Sequence, residues 1–586
     1  MLKRERVIMH GRWLSTAAVA VVTFVVCVLL APAWMSFHEQ YQLFQSTGTY
    51  FLHHLSLPGG VAAYVAQWLV QFFLFPAAGA LVMALLLAAL HAALLSLARL
   101  RDGWPLASVL AVLPVALAAR VLADVNMLPA LLVAADMALW GVLLCLLPVR
   151  GWGRAVLTVV CMPVLYWLCG PVVWMAIACA ALLALARRRW LWLGACVLSA
   201  AVVALLAYVT LPVQYPVARV ANGLFYCRLP QYDATWQWLM LGALALTPAL
   251  LWHLCRRRVR PVVLCAAVVA VAGLSWPVVS TGVDPVQREV VGYDYLVRNA
   301  RWDDVVERAV QVPPTRPLST ACVNLALAQR GQLSDSLFHY FQNGPQGLIP
   351  PFTRDYIESV TIGEIYYHLG MVNDAQRMAM EAQACVPDGR LSARCMQMLL
   401  HTSLLNGNER QAQRYQRWLD NTLFYKHTTK DAVKSLQKAS VPPRLHDGDL
   451  FYDGNNTEQV LARIVEQIPT HRMAYEYLMA YCLLSRNLDG FMHYFPQGQA
   501  IGFDHMPLAY QEALVYVWSQ QSNDFSAMPW PVAPHVVQGV MNFARLYVTD
   551  RSNAALHEPP LSQTFWSYLL LGPAPATKPT TSSTIY

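Results

Sequence analysis

Charged residues are almost absent from the first half of this chain, and this constrains the fold more than any other feature. Before residue 281 the only lysine is Lys3 and the acidic residues are Glu5, Glu39, Asp102, Asp124, Asp136 and Asp233. After it, Asp, Glu, Lys and Arg return at the density of water-soluble proteins. We therefore predict a transmembrane domain over 1–280, a water-soluble domain over 281–572, and a low-complexity disordered tail over 573–586.

Apolar runs long enough to cross the bilayer recur through residues 1–280. A hydrocarbon core of about 30 Å takes about 20 helical residues. The runs predict about nine spans, near 13–33, 77–97, 105–122, 128–148, 154–169, 171–186, 190–210, 235–254 and 261–280. The runs 154–169 and 171–186 are short and meet at Gly170-Pro171, so two interpretations stay open: two spans with a tight turn, or a re-entrant hairpin.

Arginine clusters lie at alternate ends of the predicted spans. The rich set comprises Lys3, Arg4, Arg6, Arg12, Arg99, Arg101, Arg150, Arg154, Arg187, Arg188, Arg189, Arg256, Arg257, Arg258 and Arg260. The other loops hold only Arg120, Arg219 and Arg228. Because positive residues resist translocation, we expect a cytoplasmic N-terminus and an extracytoplasmic 281–586.

Small residues and turn residues in the second half are typical of paired helices. The stretch "TIGEIYYHLGMVNDAQRMAMEAQACVP" carries Gly363, Tyr366, Gly370, Ala375, Ala382 and Pro387. Weaker copies place Ala300, Gly331 and Gly407 where Gly370 stands. Over about 295–425 this resembles the tetratricopeptide-repeat pattern, in which small residues allow close helix packing and glycine turns the chain. The resemblance implies an α-solenoid that binds a protein partner, and hence an all-α chain: a polytopic helical bundle followed by helical repeats.

Motifs for a metal, a cofactor or nucleic acid are not found in the sequence. There is no Cys-x-x-Cys, phosphate loop, dinucleotide fingerprint or zinc-protease motif, so we predict no metal and no cofactor. The arginines follow membrane topology and indicate no nucleic-acid partner. Cys385 and Cys395 leave two interpretations open, a disulfide across a helical hairpin or buried thiols.

Ionisable residues on the expected outer side are the candidate functional residues. Asp136 lies inside the fourth span, where an ionisable group costs several kcal/mol unless paired, so we predict a structural ion pair with Arg120 on the neighbouring helix; a functional role is the alternative. Asp124 ends the third span. Arg219 and Arg228 lie in the loop before span eight, where they either hold a phosphate or coat the loop.

The stretch "MSFHEQYQLFQSTGTYFLHH", residues 35–54, follows the first span. Phe37, Tyr41 and Phe44 share one helical face and Glu39 lies on another, which predicts a helix over 37–54 on the membrane surface. We expect Glu39 to face the outer aqueous side, beside a groove bounded by that helix and the 211–234 loop.

Many spans, an outer first loop with surface helices and an acidic residue after the first span are similar in layout to membrane glycosyltransferases of the C-type fold. His38-Glu39-Gln40 stands where those families usually have paired acidic residues. The resemblance implies glycosyl transfer from a polyprenyl-phosphate-linked sugar, with Glu39 and Asp124 catalytic and Arg219, Arg228 and Arg120 binding the substrate.

The whole chain also resembles an uncharacterised family of bacterial multi-pass proteins with tetratricopeptide-like tails. That resemblance implies an architecture and no activity, and we expect the protein in the bacterial inner membrane. The alternative to an enzyme is a non-enzymatic, membrane-anchored scaffold whose helical repeats bind envelope proteins. A transporter is less favoured, because one Asp within the spans is little for a coupled ion path.

Overall fold

The computed structural model describes residues 2–100, 103–147, 151–255, 259–426, 452, 454–522 and 524–572. Within these ranges every regular element is a helix, and Met127 and Cys227 form one isolated antiparallel bridge. The all-α prediction is thereby confirmed. The predicted tail over 573–586 lies outside the described residues, as do Arg101, Arg150 and Arg256–258 of the predicted arginine clusters.

The first half forms fourteen α-helices within the described residues. They are α1 (Leu2–Leu30), α2 (Pro32–Tyr41), α3 (Gly48–Leu55), α4 (Gly60–Val70), α5 (Pro76–Ala98), α6 (Trp104–Leu110), α7 (Val112–Ala123), α8 (Ala130–Cys145), α9 (Gly151–Cys169), α10 (Val173–Ala186), α11 (Trp190–Val209), α12 (Val217–Asn222), α13 (Thr235–Leu254) and α14 (Pro261–Ser280).

Apolar helices occupy all nine predicted span positions. Among the described residues, seven helical stretches are long and apolar enough to cross a membrane, which indicates a membrane protein. One of them, Trp152–Ala186, contains both short predicted spans and is interrupted by a 3-10 turn at Gly170–Val172. The helix α8 has only 16 residues. The count of nine spans therefore stays a prediction.

The helix α5 lies at the centre of the first-half packing and shows why these runs form helices. Pro76 begins it, where a missing N–H costs nothing. Small residues along it, such as Ala80 and Ala93, are fully buried, which allows close approach of α1 and α8. Its one titratable group, His91, is satisfied at both ring nitrogens, by Thr16 Oγ1 at 3.1 Å and the Ser108 carbonyl at 2.9 Å.

The chain divides into two units. The first unit comprises Met1–Arg288 together with two short segments of the second half, Val386–Ala393 and Arg417–Thr428. The second unit comprises Glu289–Cys385, Arg394–Gln416 and Thr429–Tyr586. The domain boundaries expected at 280 and 572 stay predictions.

The remaining helices follow residue 284. They are α15 (Pro285–Arg298), α16 (Trp302–Gln311), α17 (Pro317–Gln329), α18 (Leu333–Ser336), α19 (Tyr356–His368), α20 (Val372–Ala384), α21 (Ala393–Leu405), α22 (Glu409–Asp420), α23 (Thr457–Gln467), α24 (Arg472–Leu484), α25 (Leu488–Tyr494), α26 (Leu508–Ser519), α27 (Pro534–Thr549) and α28 (Phe565–Leu571).

Five of these helices, α15, α17, α19, α21 and α24, end in the same hydrogen-bonded turn. The left-handed residues are Ala300, Gly331, Gly370, Gly407 and Arg486, with φ of 50°, 65°, 80°, 69° and 59°. In the turn after α21, Asn408 N–H donates to the Ser403 carbonyl at 2.8 Å and Gly407 N–H to the Leu404 carbonyl at 3.1 Å. The other four turns carry the same two bonds, which define the Schellman motif. The predicted turn residues are thus confirmed as helix ends.

The pair α19–α20 shows the packing that the sequence predicts. A Cβ on Gly363 would lie 3.3 Å from the Met378 Cβ, so the helices touch where the glycine stands. Ala375 and Ala382 are fully buried. Helix pairs are therefore present, while a tetratricopeptide-like solenoid stays a proposal.

Candidate functional site

The stretch after α1 is buried, and this corrects the predicted surface helix over 37–54. Pro32 begins α2, which ends at Tyr41; the chain is then extended before α3. Every residue from Met35 to Phe44 is buried. The prediction treated one face of a continuous helix as solvent-facing, whereas the chain buries both faces of α2.

Two distant segments of the first unit cover this stretch, and we call them the covering segments: 386–393 and 417–426. Leu43 N–H donates to the Leu391 carbonyl at 2.8 Å, and Ser392 Oγ donates to the Gln40 carbonyl at 2.8 Å. Ser46 N–H donates to the Asn421 carbonyl at 2.9 Å. The backbone after α2 is thus satisfied by chain segments far along the sequence, which a local pattern does not reveal.

Glu39 lies beneath the second covering segment. Its side chain is 3% exposed and accepts a hydrogen bond from the Tyr425 hydroxyl. The expectation that Glu39 faces the aqueous side is therefore wrong for this structure. The reason is Tyr425, which supplies the donor that a buried carboxylate needs and removes the desolvation argument for exposure.

His38 is a residue that sequence reasoning did not single out. Its ring is fully buried and packs against Trp34 at 4.2 Å and Phe37 at 5.5 Å between centroids. Neither ring nitrogen has a hydrogen-bond partner among the described residues. Burial, and then the charge of Arg228, lower the pKa of His38 to about 3, so the ring is neutral at physiological pH.

Asp124 and Arg228 are brought together by Asn126. Asn126 N–H donates to Asp124 Oδ1 at 2.8 Å, and Arg228 Nε donates to Asn126 Oδ1 at 2.7 Å. The isolated antiparallel bridge between Met127 and Cys227 aligns the chain segment that carries Asp124 with the chain segment that carries Arg228. Burial raises the pKa of Asp124, and the Asn126 bonds and the Arg228 charge oppose that rise.

Arg228 also reaches the buried stretch. Its guanidinium lies 5.7 Å from the centroid of the Phe37 ring, and its side chain is 6% exposed. Arg228 thus contacts α2 through Phe37 and reaches Asp124 through Asn126, and we call these residues, together with Glu39, the polar layer around α2.

Arg219 is engaged with a carboxylate of the first covering segment. Its Nη2 lies 2.8 Å from Asp388 Oδ2, and its guanidinium lies 5.2 Å from the Tyr215 ring centroid. Arg390 shares the same Asp388 oxygen at 3.2 Å. Arg219, predicted to bind substrate, thus holds the 386–393 segment.

The predicted pair of Asp136 with Arg120 is not formed. The Arg120 guanidinium stacks on Trp236 at 3.3 Å, and its Nε donates to Thr281 Oγ1 at 3.3 Å. Asp136 is 6% exposed, and neither carboxylate oxygen has a hydrogen-bond partner among the described residues. The prediction failed because Arg120 contacts Trp236 and Thr281 instead of Asp136 on α8.

A cavity of about 140 Å³ lies next to this layer. It is bounded by α3, by the 215–225 region and by the first covering segment. The lining residues are Leu43, Gln45, Tyr50, His53, His54, Leu57, Tyr215, Leu224, Phe225, Asp388, Gly389, Arg390 and Leu391. No set of three His, Cys, Asp or Glu side chains suited to a metal ion is found in the part of the chain that the structure describes.

Comparison with protein families gives one match, to a family described as "Family of unknown function (DUF6057)", over residues 8–572. The chain belongs to the DUF6057 family. No curated protein and no solved structure matches it. The comparisons therefore show neither the tetratricopeptide-like nor the glycosyltransferase resemblance.

The DUF6057 match runs through both covering segments and the whole polar layer. Of the site residues missed in the sequence, His38 and Asp388 carried a usable signal. His38 stands beside Glu39 in a stretch with few polar residues, and Asp388 precedes Gly389 in a turn. Tyr425 and Arg390 carried no such signal, because no sequence pattern near either residue predicts that it lies next to α2.

Proposed function

We propose that this DUF6057 protein is a membrane-anchored, non-enzymatic scaffold of the cell envelope, whose helical repeats bind other envelope proteins. The observation that carries the proposal is the burial of Glu39 beneath Tyr425, since a catalytic base must reach a substrate. The covering segments close the stretch where an active site was expected.

The repeated helix ends support the binding role. Schellman turns at Ala300, Gly331, Gly370 and Gly407 set successive helices in pairs, and stacked helix pairs present extended surfaces suited to protein partners. The proposal includes a tetratricopeptide-like solenoid, and partner identity is left to experiment.

The proposal also includes the topology expected from the arginine pattern. The chain would cross the bacterial inner membrane about nine times, with a cytoplasmic N-terminus and an extracytoplasmic second half. A reporter that is active only in the cytoplasm, fused after Tyr586, should be silent. Strong reporter activity would overturn the orientation.

The substitution Glu39→Gln separates the scaffold from an enzyme. Glutamine has nearly the same size and still accepts a hydrogen bond from Tyr425, so the scaffold should fold and function normally. The measurement is complementation of a deletion strain, with the envelope-glycan profile and protein abundance as readouts. Tyr425→Phe is the matched control, because it removes the hydrogen bond from Tyr425 and leaves the Glu39 carboxylate, whereas Glu39→Gln keeps the hydrogen bond and removes the carboxylate. A normal profile with both variants supports the scaffold; a lost profile with Glu39→Gln alone, at normal abundance, contradicts it.

Glycosyl transfer from a polyprenyl-phosphate donor is the second candidate. It is favoured by the joining of Asp124 to Arg228 through Asn126 and by the position of Arg228 over Phe37. In this proposal Glu39 takes the proton of an acceptor hydroxyl, that oxygen bonds to the anomeric carbon, and the lipid phosphate leaves with the bonding electrons. Arg228 offers the phosphate a guanidinium. The same complementation experiment with Glu39→Gln distinguishes the two candidates, because an enzyme that uses Glu39 as its base should lose the envelope-glycan profile when Glu39 is replaced.

A further inference from the structure

We propose that the cavity bounded by α3 and residues 388–391 binds a phosphate group, carried either by a lipid headgroup or by free phosphate. The site is distinct from the scaffold surface and from the Glu39 layer, and the proposal does not depend on either proposed function. It rests on the size of the cavity, on the side chains that line it, and on one buried histidine.

The cavity has room for such a group. Its volume is about 140 Å³, whereas one water needs only about 10–15 Å³ by the same measure. Apolar side chains, Leu43, Leu57, Leu224 and Phe225, line part of the wall. Polar groups of the cavity wall come from α3, from Tyr215 and from residues 388–390, and among them the Arg390 guanidinium is a strong donor to anions.

Arginine supplies the positive charge. Arg390 lines the cavity, and the Asp388 oxygen that it contacts at 3.2 Å also binds Arg219 at 2.8 Å. Within this group of three side chains, the two guanidinium groups share one carboxylate, which also lines the cavity and offsets one of the two positive charges. All three side chains are at most 10% exposed, so water screens them weakly, and an anion in the cavity is attracted strongly.

His54 is the observation that points to a ligand. It is 2% exposed and lines the cavity. Its Nδ1 lies 3.0 Å from the Tyr50 carbonyl, which fixes Nδ1 as the donor, and Nε2 has no partner among the described residues. A buried polar atom without a partner is destabilising. A phosphate oxygen bearing a proton, or a phosphate beside protonated His54, satisfies Nε2.

Phosphate binding should therefore be coupled to the protonation of His54. Burial is the main cause that lowers the pKa of His54 in the protein without ligand, and the nearby Arg390 and His53 lower it further, against the Tyr50 carbonyl bond that raises it. A bound dianion opposes these effects and raises the pKa of His54. Binding should then be tighter at pH 6 than at pH 8, because at the lower pH both His54 and phosphate more often carry the proton that the contact at Nε2 requires.

The experiment uses the full chain purified in a neutral detergent and phosphate-free buffer. Inorganic phosphate is titrated by calorimetry, and short-chain phosphatidic acid is titrated in parallel against short-chain phosphatidylcholine. The variants are Arg390→Gln, His54→Gln and Leu57→Trp, the last of which fills the cavity without changing charge. Arg120→Gln is the matched control, because it removes an arginine that stacks on Trp236 outside the cavity.

We expect the wild type and Arg120→Gln to bind equally, and the three cavity variants to bind at least about tenfold more weakly, which is about 1.4 kcal/mol. Binding of inorganic phosphate identifies free phosphate as the source, and binding of phosphatidic acid alone identifies a lipid headgroup. If Arg390→Gln fails to fold, the binding measurements on His54→Gln and Leu57→Trp still test the proposal. No binding of either ligand by the wild type, or an equal loss with Arg120→Gln, would overturn the proposal.

Discussion

The substitution of glycine by alanine should have opposite effects at two positions of the second unit. Gly407 ends α21 in the left-handed conformation, with φ of 69°, and a Cβ built there meets no atom within 4 Å. Gly539 lies within α27, where a Cβ would make only an ordinary contact, at 3.6 Å, with Trp566. The same added methyl group therefore meets no clash at either site, and only the backbone conformation differs.

The magnitudes follow from that difference. A left-handed alanine costs roughly 1–2 kcal/mol, and the stiffer unfolded chain recovers part of it, so Gly407→Ala should destabilise the unit by about 1 kcal/mol. In a helix interior alanine is favoured over glycine by about 0.8–1 kcal/mol, so Gly539→Ala should stabilise it by about that amount. Ala300, which ends α15 with φ of 50°, offers the reverse test: Ala300→Gly should stabilise by about 1 kcal/mol.

The assay is thermal unfolding of the purified full chain in detergent, followed by a thiol-reactive dye that reports buried cysteines such as Cys322, Cys395 and Cys482. One kcal/mol corresponds to about 2–4 °C in a domain of this size. Gly407→Ala should lower the midpoint and Gly539→Ala should raise it. Shifts of the same sign at both glycines would refute the reasoning: two rises would contradict the cost of a left-handed alanine after α21, and two falls would contradict the gain from alanine within α27.

Two further outcomes concern buried carboxyl groups. Burial raises the pKa of Glu512 to about 8 from 4.5, so its contribution to stability is present below about pH 4.5 and is lost as the pH rises through 8. Glu512→Gln can still accept a hydrogen bond from Phe565 N–H, and it should flatten the fall in melting temperature between pH 5 and pH 9. An unchanged slope would refute this expectation. Because Asp136 and Arg120 do not touch, the losses of stability from Asp136→Asn and Arg120→Ala should add to within about 0.5 kcal/mol, and a double variant no worse than either single one would restore the predicted ion pair.

Features that depend on neighbouring residues were readable from the sequence. The apolar runs located the helices of the first half because a helix of about 20 apolar residues needs no distant partner to be recognised. The predicted spans 77–97 and 261–280 begin next to or at Pro76 and Pro261, which begin α5 and α14 in the structure. Gly331, Gly370 and Gly407 marked helix ends because glycine adopts the left-handed conformation at least cost.

Features that depend on distant contacts were not readable. Glu39 was expected to be exposed, yet its hydrogen-bond donor, Tyr425, lies 386 residues further along the chain. The amphipathic pattern of α2 reports which side chains share a face, and it does not report what covers that face. Arg120 was expected to pair with Asp136 on the neighbouring helix, while the structure places it against the Trp236 ring and the Thr281 hydroxyl, which carry no charge.

The polar layer around α2 has a physical consequence for how the first unit is held together. Glu39, Gln40 and Leu43 each accept or donate a hydrogen bond to a covering segment, and these groups are buried. Sliding a covering segment along α2 by one residue would leave several of them without a partner at once, at roughly 1–3 kcal/mol for each group. Hydrophobic contact alone would tolerate such a slip, because it is not directional. The Glu39 side chain and the backbone groups of Gln40 and Leu43 therefore fix the register in which residues 386–393 and 417–426 pack on this stretch, whether or not Glu39 takes part in chemistry.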